Sequence, residues 1–180
     1  MPDFQEKRLE LGQKLWVNDA TTYFGHSVAI DKDLAIVGDY DGGYYRSDKI
    51  GRAYIFSREH NEWRLQQRIK VLDLKNFECF GCSTDMNGSD KIAIVGAYYA
   101  QNLSKQTVGA AYVFELEGEI WQQKQRLQPS DLQLNAGFGT AVAIEGKLAV
   151  VGAPQEVRNG ERKKVGAAYL YQLEGEKWEI

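Results

Sequence analysis

The stretch FGTAVAIEGKLAVVGAP, residues 138–154, decides the fold of this chain. Small and β-branched apolar residues follow one another almost without interruption on both sides of Glu145-Gly146. Two short apolar runs joined by a two-residue turn predict a β-hairpin. Because both strands are apolar on both faces, we expect neighbouring parts of the protein to cover the hairpin on both sides.

The pattern of residues 138–154 occurs three times at a nearly constant spacing. Its Phe-Gly pair opens at Phe24, Phe80 and Phe138, which are 56 and 58 residues apart. Two further markers, a Gly-x-Ala-Tyr element and a tryptophan, recur at the same period. They begin at Gly51, Gly109 and Gly166, and at Trp63, Trp121 and Trp178. Three independent markers at one period identify a repeat protein.

Each repeat is predicted to form four antiparallel strands. The first two are apolar on both faces, whereas the fourth alternates apolar and polar residues and has one exposed face. This gradient, in a unit of about 57 residues, is typical of a β-propeller blade, because adjacent blades pack face to face and bury the inner strands. The sequence therefore predicts an all-β propeller with blades over residues 24–70, 80–128 and 138–180.

The same residues resemble a known family. Phe-Gly at the start of the first strand and Gly-Ala-Pro at the end of the second, complete in residues 138–154, look like the FG-GAP repeat of the integrin α-subunit propeller and its bacterial relatives. The first two repeats have Gly38-Asp39-Tyr40 and Gly96-Ala97-Tyr98 and lack the proline. The resemblance implies a non-catalytic binding or adhesion propeller, and an extracellular or cell-surface location if a leader has been removed.

Calcium sites are part of what the resemblance implies. Integrin-type repeats hold calcium in an Asp/Asn-rich loop between the first two strands, whereas repeats one and three of this chain have tight turns there. The second repeat has two extra residues and offers Asp85, Asn87 and Asp90 as a weak calcium site. The alternative interpretation is a hairpin that uses Asp, Asn and Gly for turn geometry, and we favour it. We expect no other cofactor.

The two ends of the sequence bear on how three blades are completed. Residues 5–16 align with the fourth strand of a blade, and Trp178 marks the beginning of the last fourth strand, so that blade 3 is expected to lack most of its outer strand. Propellers have at least four blades, and three would leave apolar faces in water. Two interpretations stay open. Either two copies form a six-bladed ring in which each N-terminal strand completes the partner's last blade, which we favour, or further blades of a longer chain close the ring.

Composition excludes several classes of protein. The 180 residues are 43% hydrophobic and 26% charged, with a net charge of −3, which argues against nucleic-acid binding. No apolar run is long enough to span a bilayer, and the first residues lack the apolar core of a signal peptide. These features leave the cellular location open. Cys79 and Cys82 are predicted to be reduced structural residues, since the chain offers no plausible zinc-ligand set around them.

Binding is expected at the loops between the second and third strands of the blades. The first two loops are rich in tyrosine, which supplies large contact area at binding surfaces: Tyr40, Tyr44, Tyr45, Tyr98 and Tyr99. The competing interpretation is that these rings only pack against blade edges. No cluster of acids and histidines indicates an active site. We therefore predict a binding module for protein or glycan, with a structural self-assembling repeat, or a propeller enzyme acting at the channel mouth, as alternatives.

Overall fold

The computed structural model describes residues 12–20, 23–40, 51–69, 71, 78–157 and 163–180. Within these ranges the chain forms twelve β-strands in three four-stranded antiparallel sheets, in each of which the spatial order of the strands follows the chain. The three sheets do not close into a ring, so the molecule is a partial propeller. The predicted all-β fold with three blades is confirmed. No helix in the described ranges is long and apolar enough to cross a membrane.

The strands have the following bounds. Blade 1 contains β1 (Phe24–Asp31), β2 (Leu34–Asp39), β3 (Arg52–Glu59) and β4 (Glu62–Arg68). Blade 2 contains β5 (Phe80–Asn87), β6 (Ile92–Ala97), β7 (Ala110–Glu117) and β8 (Ile120–Leu127). Blade 3 contains β9 (Ala141–Glu145), β10 (Leu148–Ala153), β11 (Ala167–Glu174) and β12 (Lys177–Glu179).

The Phe-Gly pair at the start of blade 2 forms a β-bulge and also contacts the preceding blade. Gly81 has a φ of 87°, a conformation that favours glycine, and the β5–β6 register shifts between Phe80 and Ser83 as in a β-bulge. The bulge lets the Phe80 ring turn into the core, where it is 1% exposed. Phe80 also forms a parallel bridge to Gly51 of the preceding blade, and Phe138 forms the same bridge to Gly109. The pair therefore joins blades 2 and 3 to the blades before them.

Each blade has two apolar faces, which we name by the neighbour that they meet. The trailing face points toward the next blade and carries Ile36 and Ile55 in blade 1, whereas the leading face of blade 2 carries Val95 and Phe114. These side chains share one buried cluster, and a second cluster joins blades 2 and 3 in the same way. The hydrophobic core thus lies between the sheets, and blade 2 is covered on both faces.

The outward faces of the first and last blades remain partly open. On the trailing face of blade 3, Val150 and Leu170 lie opposite each other and are 37% and 63% exposed. On the leading face of blade 1, Val28 and Ile30 are 66% and 67% exposed. Within the single chain, residues 138–154 are therefore covered on one side, as expected for three blades that do not close a ring. Only the leading face of this hairpin has a neighbour, because the described chain contains no fourth blade.

A glutamine that recurs in the repeat forms hydrogen bonds between the outer strands of successive blades. Gln67 Nε2 donates to Trp121 O at 2.8 Å, and Trp121 N donates to Gln67 Oε1 at 2.7 Å. Gln125 exchanges the same pair of hydrogen bonds with Trp178, both at 2.8 Å. We call this two-bond contact the glutamine clasp. The side-chain amide matches the backbone of the next strand like an extra peptide group, so it fixes the distance between neighbouring sheets at their outer edge.

The segment before blade 1 makes the same clasp without belonging to a described sheet. Gln13 Nε2 and Oε1 each form a 2.7 Å hydrogen bond with the backbone of Trp63. Leu15 and Val17 pack on the leading face of blade 1. Residues 12–17 have no strand pairing within the described ranges, and residues 5–11 of the predicted leading strand lie outside them. The outer strand of blade 3, β12, is three residues long.

Candidate functional site

One end of the three sheets carries the candidate site. At this end β1 and β5 begin, β2 and β6 end, and the loops between the second and third strands emerge. Tyr40, Tyr98 and Pro154 each follow the second strand of their blade and are equivalent in the repeat. The architecture therefore sets these three side chains side by side along one rim of the partial propeller. We call this rim the loop face.

The tyrosines of the loop face form a continuous row of rings. Tyr40 lies 5.1 Å from Tyr23, 4.4 Å from His26 and 6.3 Å from Tyr98, measured between ring centroids. Tyr98 in turn lies 4.4 Å from Tyr99. Tilted pairs at these distances support one another and hold the rings in fixed positions. The structure thus brings Tyr40, Tyr98 and Tyr99 together, across the junction of blades 1 and 2.

Two residues of this row, Tyr23 and His26, were not among the binding residues predicted from the sequence. Tyr23 directly precedes a Phe-Gly pair, as Cys79 does, and His26 directly follows one. Alignment of the repeats already places both positions at the loop-face end of the first strand, so the signal was present. The other two predicted tyrosines, Tyr44 and Tyr45, lie outside the described residues.

Burial distinguishes the inner and outer members of the row. Partial burial raises the pKa of Tyr98 well above its ordinary value, with the neighbouring Cys79 as a further cause, and burial also raises that of Tyr40. Both hydroxyls therefore stay neutral at physiological pH and can donate hydrogen bonds. Tyr99, at the outer end, is 49% exposed and offers much of its ring to solvent.

A groove continues the row toward blade 3. It has a volume of about 270 Å³, and its lining includes Tyr98, Tyr99 and Pro154. Asn135 and Lys164 supply polar groups along the groove. Backbone bonds hold its shape: Asn135 N donates to Thr107 O at 2.7 Å. The loop face therefore combines an exposed aromatic surface with a shallow cleft that has polar groups.

The predicted calcium ligands are used differently in the structure. Asp85 Oδ2 accepts a 2.7 Å hydrogen bond from Ile144 N of blade 3, and Asn87 Oδ1 accepts one of 2.9 Å from Asp90 N. The first bond joins two blades, and the second closes the turn of the hairpin. Among the described residues, no group of three or more His, Cys, Asp and Glu side chains is arranged to hold a metal ion. Calcium binding at this turn stays a prediction.

The cysteine pair is internal to the blades. Neither cysteine forms a disulfide, and both are buried. Cys82 Sγ donates to Gly139 O of the next blade at 3.4 Å. Burial raises the pKa of Cys82 to about 12, so the thiol is protonated and unreactive at neutral pH.

The comparison with known families agrees with the repeat. A family model described as FG-GAP repeat matches residues 13–56, 63–114 and 121–171. Among solved structures, Sqt1 of Saccharomyces cerevisiae is 8% identical with a TM-score of 0.49, over 84% of this chain and 32% of that chain. The chain thus spans about a third of the length of Sqt1. The computationally designed Ika4 protein is 13% identical with a TM-score of 0.49, over 91% of this chain and 100% of that chain.

Proposed function

Because this chain belongs to the FG-GAP repeat family, we propose that it is a non-catalytic binding module that recognises a protein or glycan through its loop face. FG-GAP repeats form β-propeller-like modules that are often used in binding, and the family is generally non-enzymatic. The observation that carries the proposal is the row of rings from Tyr23 to Tyr99. It continues into the groove beside Pro154.

The geometry favours recognition of a surface over chemistry on a small molecule. Tyr99 presents nearly half of its side chain to solvent, yet its ring is held against Tyr98. Such a ring loses little conformational entropy when it binds, which makes tyrosine an effective contact residue. The same flat, rigid face suits either a sugar ring or an extended peptide, and the polar groups of Asn135 and Lys164 lie within the adjoining groove.

Binding is tested first with immobilised arrays, one of glycans and one of peptides, probed with the labelled full chain. Any ligand found is then titrated against Tyr99→Ala, Tyr99→Phe and Ile120→Ala. Ile120 is an exposed apolar residue at the β7–β8 turn, at the opposite end of blade 2. We expect Tyr99→Ala to weaken binding by about 10-fold or more, whereas Tyr99→Phe and Ile120→Ala retain affinity near that of the wild type.

Two results would contradict this proposal. One is the absence of any ligand on both arrays. The other is an array ligand whose affinity is unchanged by Tyr99→Ala but reduced by Ile120→Ala, which would place binding at the opposite end of the blades.

A further inference from the structure

We propose that the trailing face of blade 3 binds the leading face of blade 1 of a second copy, so that two chains close a six-bladed ring. Residues 13–15 of each copy then complete the outer part of the other copy's blade 3. This inference concerns the edges of the partial propeller, and it is independent of binding at the loop face.

The most specific observation is a set of three equivalent glycines, one in each blade, of which only two are explained by contacts within the chain. Gly38 and Gly96 occupy equivalent positions on the trailing faces of blades 1 and 2. A Cβ at either one would lie 2.2 or 1.9 Å from the carbonyl oxygen of Gly81 or Gly139 in the next blade. Only glycine allows so close an approach of two backbones.

Gly152 is the third member of this set, and nothing in the described part of its own chain requires it. A Cβ there would meet its nearest neighbour, Ala141 Cβ, at 3.5 Å, which is an ordinary contact, and its φ is not in the left-handed region. Gly25, which is equivalent to Gly81 and Gly139, has nothing within 4 Å of its built Cβ. Gly152 and Gly25 could thus form a third contact of this kind, but they do not meet within one chain. A second copy brings Gly25 to Gly152.

The open faces of the chain match each other as the internal faces do. The trailing face of blade 3 exposes Leu148, Val150 and Leu170, and the leading face of blade 1 exposes Val28 and Ile30. At the junctions inside the chain, residues in these positions are fully or largely buried. Exposed aliphatic patches of this kind mark association sites. Because each copy carries one face of each kind, a second copy covers both.

The N-terminal segment already lies where the neighbouring blade requires it. Gln13 makes with Trp63 the contact that Gln67 makes with Trp121, so residues 13–15 take the place of an outer strand in a blade that precedes blade 1. In the two-copy ring that blade is blade 3 of the second copy. Its β12 pairs with β11 only at Gln172–Glu174, so the β11 backbone from Ala167 to Tyr171 has no outer partner among the described residues.

The repeat also gives the strand register across the two copies. Gln125 pairs with Val113, Arg126 with Tyr112 and Leu127 with Ala111. The equivalent pairs are Gln13 with Leu170, Lys14 with Tyr169, and Leu15 with Ala168 of the second copy. Leu127 and Ala111 share the buried cluster between blades 2 and 3, and we expect Leu15 and Ala168 to form the same contact.

The number of blades selects two copies. The contact joins different faces of the two chains, so it either closes into a ring or continues as a filament. Propellers typically have about four to eight blades, and six is the only multiple of three in that range. Two chains of three blades each therefore close the ring with two-fold symmetry.

One hydrogen bond of the internal junctions is missing at the proposed junction. Ser27 Oγ donates to Gly81 O at 2.9 Å and Ser83 Oγ donates to Gly139 O at 2.8 Å, whereas the equivalent residue of blade 3 is Ala141. Ala141→Ser should restore the bond to Gly25 O of the second copy. We expect the dimer dissociation constant to fall by about 2- to 10-fold, the range of a single hydrogen bond.

The mass of the full chain by light scattering, over a range of concentrations, is the first test. We expect twice the mass of one chain. Leu170→Arg should give the mass of one chain with an unchanged far-ultraviolet circular dichroism spectrum. Leu103→Arg, which places the same charge on a fully exposed loop residue of blade 2, should leave the dimer intact. Gly152→Ala should also give a folded single chain.

Paired cysteines test the register. Leu15→Cys combined with Ala168→Cys should yield a covalent dimer on mild oxidation, because directly opposed strand residues lie within disulfide distance. Leu15→Cys combined with Leu173→Cys should not. A wild-type mass of one chain at every concentration, or a mass above two chains, would overturn the closed ring. A dimer that persists in both Leu170→Arg and Gly152→Ala would overturn the interface, and equal cross-linking of the two cysteine pairs would overturn the register.

Discussion

Ile55 of blade 1 and Leu170 of blade 3 occupy the same position in two repeats, yet one is fully buried and the other is 63% exposed. Both belong to the third strand of a blade and both are on its trailing face. The difference arises from the neighbour: Ile55 packs against blade 2, whereas no described blade follows Leu170. Position within a blade therefore fixes which way a side chain points, and only the number of blades fixes whether it is covered.

The largest effect is expected from truncating these two side chains. In a Gly152→Ala background, which prevents pairing of copies, Ile55→Ala should lower the free energy of unfolding by about 4 kcal/mol, because it leaves a cavity between two sheets. Leu170→Ala should cost less than about 1 kcal/mol, since much of that side chain is already in water. Urea denaturation followed by tryptophan fluorescence measures both. Equal losses would show that the trailing face of blade 3 is covered in the single chain.

The sequence predicted the part of the fold that repeats. Phe24 and Phe80 begin β1 and β5, and the turn at Asn87-Gly88 separates β5 from β6, as the markers indicated. These features depend on local patterns of alternation, turn residues and spacing, which a single sequence displays. Blade 3 follows the pattern less closely, since β9 begins at Ala141 rather than at Phe138.

The number of repeats indicated that three blades leave apolar faces open, but the local pattern does not show which side chains are covered. Leu170 and Ile55 are both aliphatic residues in apolar strands, and nothing in their neighbouring letters separates a covered face from an open one. The glutamine clasp was missed for another reason. Gln13, Gln67 and Gln125 align in the repeat, but glutamine is common on exposed strands, and its partner is the backbone of another blade, which carries no sequence signal.

The tyrosine row shows a similar limit. The loop tyrosines were predicted as a group, and repeat alignment also places Tyr23 and His26 at the loop-face end of β1, but it does not show that their rings contact Tyr40. The predicted metal ligands were a plausible set by composition, but Asp85 instead accepts a hydrogen bond from the next blade. The period defines equivalent positions, whereas these side-chain contacts depend on the three-dimensional packing.

The equivalent glycines Gly96 and Gly152 extend the comparison between a covered and an open face to backbone contacts. Gly96→Ala should lower the free energy of unfolding by about 3 kcal/mol, because the new methyl group would collide with the Gly139 carbonyl and force the blades apart. Gly152→Ala should change the stability of the single chain by no more than about 0.5 kcal/mol. Thermal and urea unfolding of dilute protein compare the two variants. A destabilised single chain in Gly152→Ala would mean that its glycine is required within blade 3.

Removal of a glutamine clasp should lower the free energy of unfolding by a smaller amount. Gln67→Ala removes two hydrogen bonds to the backbone of Trp121 and should cost about 1–2 kcal/mol, since that backbone then loses its partners in a partly buried place. Gln13→Ala, in the Gly152→Ala background, removes the same contact from residues 12–17, which pair with no strand among the described residues. It should cost less than about 0.5 kcal/mol. A loss equal to that of Gln67→Ala would show that residues 12–17 already stabilise the single chain as an outer strand.

The smallest effect comes from Cys82, whose equivalent in blade 1 is the exposed residue His26. Burial raises the pKa of the Cys82 thiol from an unfolded value of 9.0 to about 12. The unfolded chain therefore loses this proton first, and stability that is complete below pH 9 declines as the pH rises from 9 toward 12. Between pH 9 and pH 10 the Cys82 thiol should lower the free energy of unfolding by about 1 kcal/mol. Unfolded tyrosine has a pKa near 10 and adds to the decline, because burial raises the pKa of Tyr54, Tyr98 and Tyr171 in the folded chain. Cys82→Ala should therefore reduce the decline by about 1 kcal/mol and leave the tyrosine part. Adding His26→Cys to that variant should not restore the difference, because an exposed thiol titrates alike in the folded and unfolded chain. A decline of unchanged size in Cys82→Ala would assign the pH dependence to the other buried groups alone and contradict the link between coverage by two neighbours and burial at this position.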